Sequence, residues 1–120
     1  MSDTLEMTLT ETRGPLAVAS LTGVLDFSTA PVLYERGVRT AVNHSRLILS
    51  LAGVTFCDSS GLNALLRLHL HLDDHHGRLV LAAPPVQLQR SLAVTGMTGV
   101  FHLHPSTAEA LTACTAPTGP

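Results

Sequence analysis

Residues 46–56, RLILSLAGVTF, form a nearly continuous apolar run rich in Leu, Ile and Val, and together with the segment after it this run limits the folds open to the chain. The run is far shorter than the roughly 18 residues of a membrane span. It also lacks the apolar–polar alternation of a strand with one wet face, so it predicts a central strand covered on both sides. Four small or polar residues, Asp58-Ser59-Ser60-Gly61, lead from it into a leucine series. At about 100° per residue, Leu62, Leu65, Leu66, Leu68, Leu70 and Leu72 share a broad arc, with Asn63, Arg67, His71 and Asp74 opposite. The pattern predicts an amphipathic helix from near Ser60 to about His75, lying on the sheet that contains the apolar strand.

The flanking segments extend this strand–helix unit in both directions. LEMTLTETRGPLAVASLTG reads as a hairpin turning at Arg13-Gly14-Pro15, with Leu5, Met7 and Leu9, then Leu16 and Val18, on half-buried strands. In LDFSTAPVLYERGVRTAV, Ser28 or Thr29 can cap a helix that carries Pro31 in its first turn. Its expected apolar side is Val32, Leu33, Val38 and Val42. GRLVLAA is a second buried strand ended by Pro84-Pro85, and VQLQRSLAVTG is a short helix closed by Gly96. VFHLH is a last strand and STAEALTACT a last helix capped by Ser106. The expected fold is α/β: one domain over 1–120, a strand hairpin and then alternating helices and strands on a mixed, largely parallel sheet. Its core spans about 5–115, and 116–120 is a loose tail.

The chain has 120 residues, 45% hydrophobic and 13% charged, with a formal net charge of −2. That supports one core and weighs against disorder. It lacks the basic footprint of a nucleic-acid binder, and an aromatic content of 3% is too low for base stacking. Sparse charge favours a surface that docks on another protein. Cys57 and Cys114 form neither a disulfide framework nor a CxxC pair. With no secretory signal pattern at the start, a reducing cytoplasm is the expected setting and no membrane is expected.

Asp58-Ser59-Ser60-Gly61 should sit where a strand's carboxyl end meets a helix's amino end, an edge that favours anions. Three roles suit the cluster: a helix cap, a nucleophile, or a site of reversible charge. A cap at Asp58 or Ser59 needs only one of these residues. A nucleophile elbow needs glycine two residues before and two after the serine, and Cys57 stands where the first would be. No G-x-x-x-x-G-K or G-x-G-x-x-G phosphate loop is present, although a small enzyme or nucleotide-binding protein using the same edge is the alternative of a different class. Ser60 reads as a capping or orienting group. Gly61 is expected either to let a partner's backbone approach or simply to loosen the helix start.

Seven histidines, several in HLHLDDHHG, raise the question of metal. His71 and His75 have helical i, i+4 spacing, and Asp74 could add an oxygen. However, His69 points into the leucine arc, and His102 and His104 have no evident third ligand. The expectation is therefore a solvated face, no metal and no cofactor, with His69 partly buried on one hydrogen bond. Cys57 and Cys114 read as small core residues.

VTFCDSSGLNALL resembles the signature segment of STAS domains, in particular the bacterial anti-sigma factor antagonists. LTGVLDFSTAPVL resembles that family's G-x-L-D-x-x-T-A-x-x-L segment through Gly23, Leu25, Asp26, Thr29, Ala30 and Leu33. LQRSLAVTGMTGVF resembles a later segment through Leu92, Thr95, Gly96 and Phe101. The resemblance implies a non-enzymatic partner switch in which Ser59 is phosphorylated by an anti-sigma factor that is itself a serine kinase of GHKL type. The unmodified form binds that kinase and so frees the sigma factor, the phosphorylated form lets go, and a phosphatase resets it. Asp26 and Asp58 match acidic positions flanking the phosphoserine, and the switch surface is expected to include Asp58, Ser60, Gly61, Asp26 and Thr29, with Thr29 and Pro31 more structural than in contact. STAS domains also serve as scaffolds in other signalling or transport assemblies.

Overall fold

Gly14 and Pro15 turn β1 (Leu5–Arg13) back on β2 (Leu16–Leu25) as an antiparallel pair in the computed structural model, which describes residues 4–115. Then come α1 (Ala30–Asn43), β3 (Arg46–Cys57), α2 (Ser59–Asp74), β4 (Arg78–Ala82), α3 (Val86–Val94), β5 (His102–His104) and α4 (Thr107–Thr115). The strands stand in chain order, β1-β2-β3-β4-β5, and all pairings after the first are parallel. This is the mixed α/β domain expected from the sequence. The tail expected at 116–120 lies outside the described residues.

Strand order that never reverses decides where the helices go. Parallel crossovers are right-handed, so α1, α2 and α3 fall on one face of the sheet, whereas α4, which comes after the last strand, covers the other. The larger core lies under the first three helices and includes Leu21, Leu25, Leu33, Leu49, Leu65, Leu68 and Leu92. The smaller one, Leu16, Val18, Ile48, Val80, Ala82 and Ala110, lies under α4. Leu47 and Leu49 face one core and Ile48 the other, as the two-residue period of a strand requires. Cover on both sides is why β3 shows no alternation.

Local signals hold at most helix ends; the exception is α1, whose N-cap Thr29 makes no side-chain capping bond. Pro31 sits in the first turn of α1. The Glu109 amide donates to Ser106 Oγ at 3.1 Å, the cap expected for α4. Gly96 closes α3 at φ +72°, a left-handed conformation that glycine adopts without strain, and Met97 N–H returns to Leu92 O at 2.8 Å.

Four apolar expectations fail. Leu9 is exposed, because the register of edge strand β1 shifts between Leu9 and Glu11 and Thr10 turns its hydroxyl to Val18 O instead. Val32 and Val42 are exposed, and α1 buries Leu33 and Gly37 with Tyr34, Val38 and Ala41 beside them. Gly37 lets α1 pack directly on α2, since a Cβ there would lie 2.6 and 2.7 Å from the Leu68 methyls. Leu70 is exposed too, since at about 100° per residue it lies nearly opposite the centre of the buried arc.

Candidate functional site

Strands β2 and β3 end side by side, with Leu25 paired to Cys57, so Asp26 and Asp58 are the residues that leave the sheet together. Asp58 N–H still donates to Leu25 O at 3.1 Å. Asp58 itself is extended and caps α2, its carboxylate accepting from Gly61 N–H at 3.0 Å and its carbonyl from Leu62 N–H at 3.0 Å. The capping role therefore falls to Asp58, not to Ser59 or Ser60. The amides of Ser59 and Ser60 belong to the first turn, where N–H groups have no partner within the helix. Ser59 is exposed and Ser60 half-buried.

Gly61 is buried, which corrects the expectation that it opens the turn to a partner. A Cβ there would lie 2.5 Å from Leu25 O, 2.6 Å from Leu25 Cγ and 2.8 Å from Cys57 Sγ. Glycine is required because α2 starts hard against the ends of β2 and β3. Thr29 is likewise buried, at 5% exposure, so it does not present its side chain to a partner. Its hydroxyl donates to Val24 O at 2.7 Å and accepts from Asp26 N–H at 2.9 Å, shaping the loop from behind.

Asp26 turns its carboxylate onto its own loop, accepting from Ser28 Oγ at 2.8 Å, Ser28 N–H at 3.0 Å and Thr29 N–H at 3.2 Å. The Ser28 hydroxyl is the main cause that holds its carboxyl below the ordinary 3.8, against desolvation and with help from the two amides. The loop so braced carries Phe27 at 81% exposure.

Sequence reasoning missed what lies on the other side of Ser59. Gln87 on α3 pairs with the last residue of β3: Cys57 N–H donates to Gln87 Oε1 at 3.0 Å, and Gln87 Nε2 donates to Cys57 O at 2.9 Å. An open groove of about 660 Å³ runs between α2 and α3, lined by Phe56, Ser59, Leu62, Val86, Arg90 and Val94 among others. Phe56, Val86 and Val94 are exposed apolar residues. The spacing of Gln87, Arg90, Ser91 and Val94 marks one helix face, but no local signal says that this face meets the end of β3. Ser60 opens on a different depression, with Phe27, Tyr34, Asn63 and Arg67, where the Arg67 guanidinium lies 4.3 Å from the Tyr34 ring centre.

The histidines stand apart from this edge. His71 and His75 stack at 4.2 Å, and His75 Nδ1 donates to His71 O at 2.7 Å. His69 packs edge-on against Phe101, 5.6 Å between ring centres, and its buried Nδ1 lacks the hydrogen bond expected of it. No group of three or more potential ligands converges among the described residues. Cys57 is buried and its thiol is pushed up to about 12 by burial and by the Asp58 charge, which suits a core residue and not a nucleophile. Cys114 is half-buried, and both cysteines are free. No helix among the described residues is long and apolar enough to cross a membrane.

A model of the STAS domain family matches residues 7–110. An anti-sigma factor antagonist from Mycobacterium paratuberculosis superposes with a TM-score of 0.79 at 27% identity, over 91% of this chain and 92% of that one. The anti-sigma factor antagonist SpoIIAA in its unphosphorylated form gives 0.77 at 19% identity, over 95% of this chain and 100% of that one. The phosphorylated form of SpoIIAA, a Bacillus cell fate determinant, gives 0.71 at 20%, over 91% and 99%. The fold also recurs within the murine anion transporter Slc26a9, at 0.79 and 15% identity, where 97% of this chain matches 23% of that one.

Proposed function

We propose that this chain, which belongs to the STAS domain family, is an anti-sigma factor antagonist whose switch is Ser59. Unmodified, it binds an anti-sigma factor serine kinase of GHKL type and frees the sigma factor; phosphorylated, it releases the kinase. The observation that carries this reading is an exposed hydroxyl on the first turn of α2, on a groove that exposed Phe56, Val86 and Val94 also line. A surface of that kind suits docking to protein, and a cytoplasmic setting goes with it.

The chemistry asks little of this chain. The kinase transfers the γ-phosphoryl group of ATP: an O–P bond forms at Ser59 Oγ as the bond to the bridging oxygen breaks, the hydroxyl proton goes to a base, and ADP leaves. A phosphatase reverses the outcome with water, giving inorganic phosphate. The product carries about −1.5 to −2 charges at pH 7. Beside it stand Asp58 and, one residue past the paired end of β2, Asp26. A strongly hydrated dianion among apolar rim residues is costly to cover, so the partner is expelled. The free amides of the first turn tolerate the charge, so the fold stays as it is.

Ser59→Ala should keep the kinase bound and take up no phosphate, read by pull-down and intact mass. Ser59→Asp should weaken binding about tenfold or more, roughly 1.4 kcal/mol, while melting within a few degrees of the unsubstituted chain. An alanine variant that is still phosphorylated to full stoichiometry would show that another residue is the switch.

A further inference from the structure

Every permanently cationic side chain of this protein is an arginine, seven in all, and most are engaged. Arg13 and Arg39 pair with Glu11 and Glu35. Arg36 and Arg46 donate to the carbonyls of Met7 and Cys114, and Arg67 covers Tyr34. Among the described residues Arg78 and Arg90 remain without such a contact. Arg78 begins β4, at the end of the sheet opposite Asp58. Arg90 lines the same groove as Ser59.

The helix that carries it is tied to the end of β3. Gln87 is bonded twice to Cys57, two residues before Ser59. Arg90 lies three residues beyond Gln87, about 4.5 Å of helix rise, on the same face of α3. Through one carboxylate oxygen Asp58, the acid that shares the groove, accepts from Gly61 N–H. Arg90, with no hydrogen bond or ion pair among the described residues, therefore lines the same groove as Ser59.

Resting on the reading of Ser59 as the switch, we propose that Arg90 is the internal receiver of the phosphoryl group. Its guanidinium closes on two phosphate oxygens across the groove between α2 and α3. Arginine suits the task because its planar fork presents parallel N–H groups to two oxygens in fixed geometry, whereas a lysine acts as a point charge. The pair offsets the repulsion from Asp58 and places phosphate and guanidinium in the groove that Phe56, Val86 and Val94 offer to a partner. Release then comes from a filled groove as well as from added charge.

The test uses the full chain with phosphoserine installed at position 59 during translation, so that no kinase is needed. The phosphate is titrated by ³¹P NMR in the unsubstituted chain, in R90K and in R90Q. Its second pKa, near 6 for a free phosphoserine, should be lower in the unsubstituted chain than in R90Q by about half a unit or more, with R90K between. The Arg90 Nε–H signal should shift and resist exchange on phosphorylation, a readout that needs no variant. Coincident titrations with an unmoved Arg90 signal would overturn the proposal. Failure of every candidate kinase to modify the chain would instead sink the switch reading and leave this titration standing.

Discussion

Asp58, Ser59, Ser60 and Gly61 are adjacent in sequence, yet each meets a different environment. Asp58 caps, Ser59 faces solvent over one groove, Ser60 opens on another, and Gly61 is packed against Leu25 and Cys57. A substitution series separates these roles. Gly61→Ala places a methyl against the Leu25 backbone and should cost about 1–3 kcal/mol, seen as a lower urea midpoint. Ser60→Ala removes no hydrogen bond found among the described residues and should stay within about 0.5 kcal/mol. Equal midpoints for the two variants would mean that the close approach at Gly61 does not constrain the turn. Where the Gly61→Ala midpoint does fall, loss of partner binding reflects a displaced α2 and not a lost contact.

At the level of elements, the site depends on α3 being held to the end of β3. Gln87 does this by presenting its side-chain amide to both polar groups of the Cys57 backbone, so it acts as one more rung of the ladder at a point where no strand continues. Gln87→Ala leaves both groups without that partner and should cost about 1–3 kcal/mol for the two bonds together. Hydrogen exchange at the Cys57 amide should quicken well beyond the change in global stability, because the opening is local. An exchange rate that merely tracks the global shift would mean that α3 is anchored by Leu88 and Leu92 alone. α1 contributes differently: the Asp26–Thr29 loop ahead of it is braced by its own hydrogen bonds and holds Phe27 outward.

At the scale of the whole molecule, the strand order among the described residues does not reverse, so the sheet has no topological switch point. The carboxyl edge instead offers shallow grooves between helices, a shape that suits a protein surface. The same layout puts three histidines together near the other edge of the sheet. Burial, then Arg78 and His69, hold the His102 imidazole below the ordinary 6.5, with His104 adding and Asp73 opposing. Because its folded pKa is depressed, the unfolded chain takes up the proton first as pH falls. Stability is therefore complete above 6.5 and declines below it, through the folded pKa. Urea midpoints measured from about pH 7.5 to 5 should fall, and His102→Gln should flatten the slope. A slope unchanged by that substitution would assign the acid sensitivity to other groups.

The order of elements, the two-sided burial of β3, the left-handed close at Gly96 and the Ser106 cap were all legible from sequence, because each depends on neighbours a few residues away. The exposure of Leu9, Val42 and Leu70, the buried settings of Gly61 and Thr29, and the bond from Gln87 to Cys57 were not. Those depend on which surfaces the right-handed crossovers bring together, and no local period encodes a contact across 30 residues. Sequence determined that a serine would stand at the mouth of an amphipathic helix; the packing of α2 and α3 against the ends of β2 and β3 decided which groove, and which arginine, it would face.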